Sequence, residues 1–343
     1  MTDHNCDIFV TRTMSPQGMA LLEKECCFRV WPGPENEGPD QNTLLKEVQN
    51  CKVLLSLLTE TINRKILEAN NKLLGVANLA VGFDNIDVEA ATSLGIPVTN
   101  TPGVLTETTA DLTWALLLAV ARRIPQAHNY MVSGKYKIWG PNLFPGDDIG
   151  LGPREQTKTL GIVGFGRIGQ AVYRRAKGFH MRILAYDPWV KDMIQKTEGV
   201  HYCDLPQLLE QSDFVTLHCN LNQETRHLIG REELKRMKKT SYLINTSRGP
   251  IVDEKELVWA LKNQIIAGAG LDVYEDEPKM SEGLASLDNV VLLPHIASAS
   301  KDTRGEMAIM AVRNALALLK KNQAPNTVNP EVYNTKAYHE RNL

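Results

Sequence analysis

TLGIVGFGRIGQAVYRRAKG, residues 159–178, decides the fold. An apolar run of strand character leads into GFGRIG (164–169), and an amphipathic stretch of helical character follows. This Gly-x-Gly-x-x-Gly spacing, placed between a strand and a helix, is typical of a dinucleotide-binding turn. In such a turn Gly164 permits a tight bend, Gly166 lets a pyrophosphate approach the backbone, and Gly169 lets helix and strand pack closely. The helix N-terminus then presents free N–H groups to the phosphates.

An acidic residue follows the glycine turn at the distance that this interpretation requires. Asp187 ends RILAYD (182–187), 18 residues after Gly169, where a carboxylate can accept hydrogen bonds from the adenosine ribose hydroxyls. The same carboxylate would repel a 2′-phosphate, and no arginine directly follows it, so the pattern favours NAD(H). Lys191 leaves NADP(H) open. The alternative is a plain turn with a helix cap at Asp187.

Short apolar runs alternate with amphipathic stretches along the chain, which predicts parallel sheets covered by helices. The first series comprises DIFV (7–10), VLLSLL (53–58), KLLGVA (72–77) and IPVTN (96–100). The second comprises TLGIVG (159–164), RILAYD (182–187), DFVTLHC (213–219), SYLINTS (241–247), IIAGAGLDV (265–273) and NVVLLPH (289–295). Two series predict an α/β chain of two doubly wound domains with parallel sheets, one Rossmann-like and one flavodoxin-like.

The turn residues of TNTPG (99–103) mark the expected domain boundary. We expect residues 102–297 to form an NAD-binding Rossmann domain. The apolar helix GEMAIMAVRNALALLKK (305–321) has no strand after it and should return to the first domain. Residues 1–101 and 298–343 would then form a discontinuous, flavodoxin-like substrate-binding domain. The polar, proline-containing tail from Asn322 is expected to be a loose extension.

Composition narrows the ligand class. The 343 residues include 38 Lys plus Arg and 40 Asp plus Glu, a net charge of -2, which predicts neither nucleic-acid nor membrane binding. Six cysteines show no zinc spacing, so we expect no metal site and reduced thiols in the cytoplasm. The start shows no secretory signal. The apolar stretch LTWALLLAVA (112–121) is too short to span a bilayer and predicts a core or interface helix.

Three strand ends of the second series each carry one polar residue: Arg248 after YLINTS, Glu277 after AGLDVYED and His295 after NVVLLP. Ligands of doubly wound sheets bind outside the carboxyl ends of the strands, so these side chains can converge beside the cofactor. Each also has a plain interpretation, as a loop cation, one acid of an acidic stretch, and a hydrogen-bonded histidine.

Together with a nicotinamide site, the three residues suggest a chemistry. Hydride delivery to a ketone requires a proton donor for the developing alkoxide, a role that suits His295 near neutral pH. A neighbouring Glu277 carboxylate would favour the imidazolium. Arg248 can grip a substrate carboxylate with two parallel hydrogen bonds and polarise the adjacent carbonyl.

The chain resembles the D-2-hydroxyacid dehydrogenase family over nearly its whole length. The resemblance rests on VGFDNIDV (81–88), TPGVLTETTADL (101–112), VGFGRIGQAV (163–172), LINTSRGPIVDEKEL (243–257), GAGLDVYEDEP (268–278) and LLPHIASAS (292–300). It implies that Arg248, Glu277 and His295 are catalytic and that the backbone N–H groups of Val81 and Gly82 bind the substrate carboxylate, so that the ligand cleft would lie between the two domains.

Further site residues accompany this resemblance. Asp272, by analogy, contacts the nicotinamide amide and influences the histidine. We also expect cofactor contacts at Thr109, Arg167, Ile168, His218, Thr225 and Thr246. LLSLLTETIN (54–63) and the region of Trp139 resemble glyoxylate and hydroxypyruvate reductases most, which makes Leu57 and Leu58 walls of a small substrate pocket. The family is typically dimeric, which implies a homodimer with the helix of residues 114–120 across the interface.

The sequence therefore predicts an NAD(H)-dependent reductase of glyoxylate or hydroxypyruvate that forms glycolate or D-glycerate, with His295 as proton donor. One alternative is a dehydrogenase of another 2-oxoacid, related to D-lactate or 3-phosphoglycerate. The other is an NADH-sensing scaffold similar to the C-terminal binding protein corepressors.

Overall fold

The computed structural model describes residues 6–34, 36–153 and 156–341, and the chain divides into two compact units. One unit contains the described residues up to Leu105 and from Ala299 onward, and the other contains Thr106–Ser298. The first division, after Leu105, lies four residues beyond the expected boundary after residue 101. The second, after Ser298, lies one residue beyond the expected boundary after residue 297. The assignment of substrate binding to one domain and cofactor binding to the other stays a prediction.

The first unit is a doubly wound α/β unit. Its strands are β1 (Cys6–Val10), β2 (Phe28–Val30), β3 (Cys51–Ser56), β4 (Gly75–Asn78) and β5 (Val98–Thr99). Its helices are α1 (Pro16–Glu25), α2 (Gln41–Val48), α3 (Arg64–Glu68), α4 (Val88–Ser93), α12 (Lys301–Leu319) and α13 (Lys336–Arg341). All pairs are parallel in the order β2-β1-β3-β4-β5, which is the flavodoxin-like order.

The second unit is a larger doubly wound unit. Its strands are β6 (Thr159–Val163), β7 (Arg182–Tyr186), β8 (Val200–Tyr202), β9 (Phe214–Leu217), β10 (Tyr242–Asn245), β11 (Gly268–Leu271) and β12 (Val290–Leu292). Its helices are α5 (Thr106–Ala121), α6 (Ile124–Val132), α7 (Arg167–Ala176), α8 (Lys191–Lys196), α9 (Leu205–Gln211), α10 (Arg231–Arg236) and α11 (Glu254–Lys262). The parallel order β12-β11-β10-β9-β6-β7-β8 extends the Rossmann order by one strand.

These two sheets confirm the predicted fold class, and burial explains why the strands are readable from the sequence. Every residue of β6, β9 and β10 is buried. Parallel strands with helices on both faces read as continuous apolar runs rather than as alternating ones, as TLGIV and FVTL do.

The apolar helix α5 belongs to the core of its own unit. Leu116, Leu117 and Val120 are buried, and the Trp114 ring stacks on Phe179 with a centroid distance of 4.5 Å. The Trp114 indole N–H donates to Val172 O at 3.2 Å. This packing accounts for the apolarity of the helix, which therefore gives no independent support for a subunit interface.

The C-terminal tail is not the loose extension that we expected. Asn329, Val332 and Tyr333 are buried, and residues Pro330–Asn334 form a 3-10 helix. Asn329 Oδ1 accepts a hydrogen bond from Val98 N at 2.8 Å, which fastens the tail beside β5. The expectation was wrong because it was drawn from polarity, and this polar side chain is buried by bonding to backbone.

Candidate active site

The glycine turn lies between β6 and α7, as the spacing predicted. Gly164 has φ +88°, a left-handed conformation, and a side chain there would meet Cys219 N at 2.5 Å. A side chain at Gly169 would meet Gly164 O at 2.2 Å, whereas Gly166 faces open space. The first turn of α7, with Arg167 and Ile168, follows directly. An open backbone at a helix N-terminus fits a pyrophosphate.

Asp187 directly follows β7 and is hydrogen-bonded to the glycine turn itself. Its Oδ2 accepts from Phe165 N at 2.9 Å, and its Oδ1 accepts from Trp189 N at 3.0 Å. The second bond caps a short 3-10 helix, which was the alternative interpretation of this residue. Each carboxylate oxygen has further acceptor capacity, so the cap does not exclude a ribose contact. The dinucleotide features of the sequence therefore lie together in one place.

The order of the strands creates a crevice at this turn. β7 and β9 flank β6, so the chain leaves β6 on one side and returns on the other, which is the switch point where ligands bind in such sheets. His218 follows β9, and its N–H donates to Val163 O at 2.7 Å. Its Nε2 lies 2.9 Å from Thr216 Oγ1. Burial lowers the pKa of His218 to about 3, so the ring is neutral.

The predicted threonine contacts differ in their surroundings. Thr246 follows β10, and its hydroxyl lies 2.8 Å from that of Thr113 on α5, while Thr109 is buried one turn earlier. These residues belong to the carboxyl edge of the sheet. Thr225 instead donates its hydroxyl to Asn220 O at 2.6 Å within its own turn. The structure thus gives the Thr225 hydroxyl a local role that the sequence did not suggest.

Arg248 follows β10 on a turn that is held from both sides. Asn245 Nδ2 donates to Arg248 O at 2.9 Å, and Arg248 Nη1 donates to Ser247 O at 2.8 Å. The next residue, Gly249, has no room for a side chain, because a Cβ there would lie 1.8 Å from Tyr274 O. The turn with Arg248 therefore packs on the backbone of the loop that leads to Glu277.

Glu277 and His295 form a hydrogen-bonded pair. Glu277 Oε2 lies 2.9 Å from His295 Nδ1, and Glu277 Oε1 accepts from Tyr274 N at 3.0 Å. The side chains of Glu277 and His295 are 27% and 24% exposed, so the pair is reachable from solvent. Because Nδ1 is bonded to the carboxylate, Nε2 is the ring nitrogen that remains for a substrate. The strands that carry Arg248, Glu277 and His295, namely β10, β11 and β12, are neighbours in the sheet.

The other predicted substrate contacts lie at the carboxyl edge of the first unit's sheet. Leu57 follows β3, and its N–H donates to the buried carboxylate of Glu60 at 2.7 Å. Asn85 Nδ2 donates to Leu57 O at 3.0 Å, so the backbone that leads into Leu58 is held on both sides. Val81 and Gly82 follow β4.

Comparison with known proteins identifies the family. Residues 114–297 match the model of the NAD binding domain of D-isomer specific 2-hydroxyacid dehydrogenases. A glyoxylate reductase of Korarchaeum cryptofilum is 50% identical over 327 residues, which cover 95% of this chain and 96% of that protein. The chain belongs to the D-2-hydroxyacid dehydrogenase family.

Solved structures of similar proteins agree with this dehydrogenase fold. A protein of Thermus thermophilus matches with a TM-score of 0.84 and 41% identity, over 94% of this chain and 99% of that one. An NADPH-dependent glyoxylate/hydroxypyruvate reductase of Sinorhizobium meliloti, in complex with NADP and malonate, matches with a TM-score of 0.81 and 32% identity, over 94% and 97%. The dehydrogenase is therefore an oxidoreductase that acts on 2-hydroxyacids with a nicotinamide cofactor.

Asp272 shows how this dehydrogenase holds His295. The carboxylate is fully buried and accepts from Ile296 N at 2.8 Å and Ala297 N at 2.7 Å, while Asp272 O accepts from His295 N at 2.9 Å. Burial raises the pKa of Asp272 although these N–H groups oppose the shift. His295 has φ +54°, an unusual conformation for a non-glycine residue. Asp272 therefore fixes the strained turn that presents the imidazole.

A network that the sequence analysis missed braces the loops with Arg248 and Glu277. His227 Nε2 lies 2.6 Å from Glu275 Oε1, and His227 N donates to Pro250 O at 2.8 Å. Glu275 N donates to Glu254 Oε2 at 2.8 Å. The acidic stretch YEDEP was visible in the sequence, but nothing in it distinguished the bracing acid Glu275 from Glu277.

Two kinds of feature are absent from residues 6–34, 36–153 and 156–341. No group of three or more His, Cys, Asp or Glu side chains there could hold a metal ion. No helix within those ranges has the length and apolarity needed to cross a membrane.

Proposed function

We propose that this dehydrogenase is an NADH-dependent glyoxylate reductase that also reduces hydroxypyruvate. The observation that carries the proposal is the hydrogen-bonded pair of Glu277 and His295 on neighbouring strand ends, beside the turn with Arg248. The substrate follows from the glyoxylate reductase that is 50% identical over 95% of the chain.

The roles of the residues follow from their chemistry. When bound, the nicotinamide supplies the hydride. Arg248 holds the substrate carboxylate and polarises the carbonyl, and His295 donates a proton from Nε2 to the developing alkoxide. Glu277 stabilises the imidazolium through Nδ1.

Backbone and apolar groups complete the proposed site. The N–H groups of Val81 and Gly82 bind the substrate carboxylate, and Leu57 and Leu58 line a pocket that suits a small substituent. The cofactor lies on the glycine turn, with contacts to Asp187, His218, Thr109 and Thr246. Asp272 acts on the nicotinamide amide and on the histidine.

A direct assay tests this function. Purified protein mixed with NADH and glyoxylate or hydroxypyruvate is expected to lose absorbance at the reduced-nicotinamide band, more efficiently than with pyruvate or 3-phosphohydroxypyruvate. Faster turnover of pyruvate or of the phosphorylated acid would select another 2-oxoacid dehydrogenase. Tight NADH binding without turnover of any 2-oxoacid would instead favour the NADH-sensing scaffold.

The preference for NADH over NADPH is supported by Asp187 and by the position of the cation that follows it. The Asp187 carboxylate would repel a 2′-phosphate. Lys191 Nζ lies 4.9 Å from the ring centroid of Tyr202, so the ammonium makes a cation–π contact with that ring. The NADPH-dependent relative from Sinorhizobium meliloti shows that NADPH is also used on this fold.

Asp187→Ala is expected to raise KM for NADH about tenfold, because a charge-assisted hydrogen bond to the ribose is lost. KM for NADPH is expected to change less, because the repulsion of its phosphate disappears with the carboxylate. The measurement is the ratio of kcat/KM for the two cofactors. Asp40→Ala is the matched control, since Asp40 also caps a helix, by accepting from Thr43 N at 2.7 Å. An unchanged ratio in Asp187→Ala would place the ribose contact elsewhere.

We also propose that the enzyme is a homodimer in the cytoplasm, with an interface centred on α6 and the segment after it. Met131, Val132, Ile138 and Trp139 are 55–82% exposed there, a concentration of apolar surface that is unusual for a monomer. Light scattering of the purified protein is expected to give twice the mass of the chain, and a monomer mass would contradict the proposal.

A further inference from the structure

The turn after β4 has an unusual arrangement of its carbonyl groups. Three successive carbonyls each accept a hydrogen bond of 2.8 Å from a donor at the end of β4 or directly after β5. The pairs are Thr101 N with Ala80 O, Asn100 Nδ2 with Val81 O, and Asn78 Nδ2 with Gly82 O. The carbonyl groups of Ala80, Val81 and Gly82 therefore all accept hydrogen bonds from the protein itself.

Because peptide groups are planar, these hydrogen bonds to the carbonyls also determine where the neighbouring N–H groups point. In a planar trans peptide, the carbonyl of one residue and the N–H of the next point in opposite directions. Capture of the three carbonyls therefore directs the N–H groups of Val81, Gly82 and Phe83 away from the asparagines. None of these N–H groups donates to an acceptor within residues 6–34, 36–153 or 156–341. Successive N–H groups on one side of a turn form an anion-binding concavity.

The two asparagines are themselves fixed in place. Asn78 is the last residue of β4 and is fully buried. The backbone of Asn100 donates to Asn326 O at 3.1 Å and accepts from Asn314 Nδ2 at 3.0 Å. The turn is therefore built on a rigid support.

The side-chain oxygen of Asn78 indicates that this amide has a specific structural role. Asn78 Oδ1 is buried and has no hydrogen-bond partner in the described part of the chain. A buried unsatisfied oxygen is unfavourable, and a residue that carries one requires an explanation. The hydrogen bond from Asn78 Nδ2 to Gly82 O explains why this amide is buried in this orientation, although its oxygen has no partner.

We propose that Asn78 and Asn100 are positioning residues for the substrate carboxylate, and that Phe83 N–H is a third donor beside those of Val81 and Gly82. The inference rests on the proposed function, which places the carboxylate at this turn. It adds the side chains that aim the N–H groups. Without Asn100, the peptide between Val81 and Gly82 is free to rotate, and the Gly82 N–H loses its fixed direction.

Asn100→Ala and Asn100→Asp are expected to raise KM for glyoxylate about tenfold, because a preorganised hydrogen bond to a charged group is weakened. KM for NADH and kcat are expected to stay within about twofold of the unsubstituted enzyme. Asn78→Ala is expected to act in the same way. For 2-oxoacetamide, the uncharged amide of glyoxylate, the same substitutions are expected to leave KM nearly unchanged.

Asn70→Ala is the matched control. Asn70 is also buried in the first unit, and its amide donates to Val48 O at 2.8 Å and to Cys51 O at 2.7 Å, at the opposite edge of the sheet. Its loss is expected to lower Tm without a change in KM. If KM for glyoxylate changes less than twofold in both Asn100 variants, or rises equally in Asn70→Ala, the positioning role is overturned. If Asn78→Ala does not fold, the Asn100 variants decide the question.

Binding of oxalate, measured by calorimetry, separates this inference from the proposed function. If the unsubstituted enzyme reduces no 2-oxoacid but binds oxalate, and Asn100→Ala weakens that binding about tenfold, the function fails and the anion site stands. If the enzyme reduces glyoxylate and the variants keep its KM, the inference alone fails. If it neither turns over nor binds oxalate, both are overturned.

Discussion

His295→Asn is expected to lower kcat for glyoxylate reduction by about 10²–10⁴-fold, the usual contribution of a positioned general acid. KM for NADH is expected to stay within about twofold. Asparagine tolerates the left-handed backbone conformation at this position, where φ is +54°, but its amide cannot release a proton to an alkoxide. Steady-state kinetics with varied glyoxylate and NADH would measure both constants.

The pH dependence of kcat/KM gives a second measurement of this role. Reduction by the unsubstituted enzyme is expected to slow as pH rises, because only the imidazolium carries the proton to be donated. The dependence is expected to disappear in His295→Asn.

His180→Asn is the matched control for the histidine substitution. His180 is exposed, has φ +55°, and lies near the amino end of β7, away from the carboxyl edge of the sheet. The same change in the same backbone conformation is expected to leave kcat unaltered. A fall of less than tenfold in His295→Asn would show that another group donates the proton.

The elements that the sequence predicted well are those whose local pattern matches their environment. TLGIV and YLIN are mostly apolar because β6 and β10 are buried on both faces. The strands β2 and β8 were missed because each has only three residues of mixed polarity, FRV and VHY, and no fully buried face. Three such residues show neither a period nor a continuous apolar signal.

The candidate site was predictable as far as topology determines it. Arg248, Glu277 and His295 follow apolar strands, and the carboxyl ends of parallel strands share one edge, so their grouping could be expected. The hydrogen bond between Glu277 and His295 shows that two of them meet. Their catalytic roles stay a prediction.

The contacts through which side chains support this site could not be predicted from local sequence, although the family resemblance singled out Asp272. Asp272 bonds to the N–H groups of Ile296 and Ala297, which lie more than 20 positions away. Asn78 and Asn100 act on carbonyls of the turn between them. Such roles depend on which loops the fold brings together, and an isolated asparagine or aspartate carries no sign of them. Such a supporting residue can be recognised only in the folded structure.

Arg248→Lys is expected to lower kcat/KM for glyoxylate about 10²-fold, although the charge is retained. A guanidinium binds a carboxylate with two parallel hydrogen bonds, and an ammonium acts as a point charge without that geometry. The loss of a hydrogen bond to a charged group, about 1.5–3 kcal/mol, corresponds to about 10–150-fold. Steady-state kinetics with glyoxylate and with NADH would separate the substrate effect from any effect on the cofactor.

Arg236→Lys is the matched control for this substitution, because both arginines lie in the same unit. Arg236 is 49% exposed and pairs at 3.0 Å with Glu210, which is 54% exposed, and an exposed ion pair contributes little, so kcat/KM is expected to stay within about twofold. Arg248→Ala, which is expected to be nearly inactive, adds a rescue experiment. Added guanidinium ion is expected to restore part of its activity, because a free planar cation can occupy the same place against the substrate carboxylate. If Arg248→Lys kept normal kcat/KM, or if guanidinium restored nothing while ammonium did, the carboxylate would be held by charge alone and the two-bond grip proposed for Arg248 would be wrong.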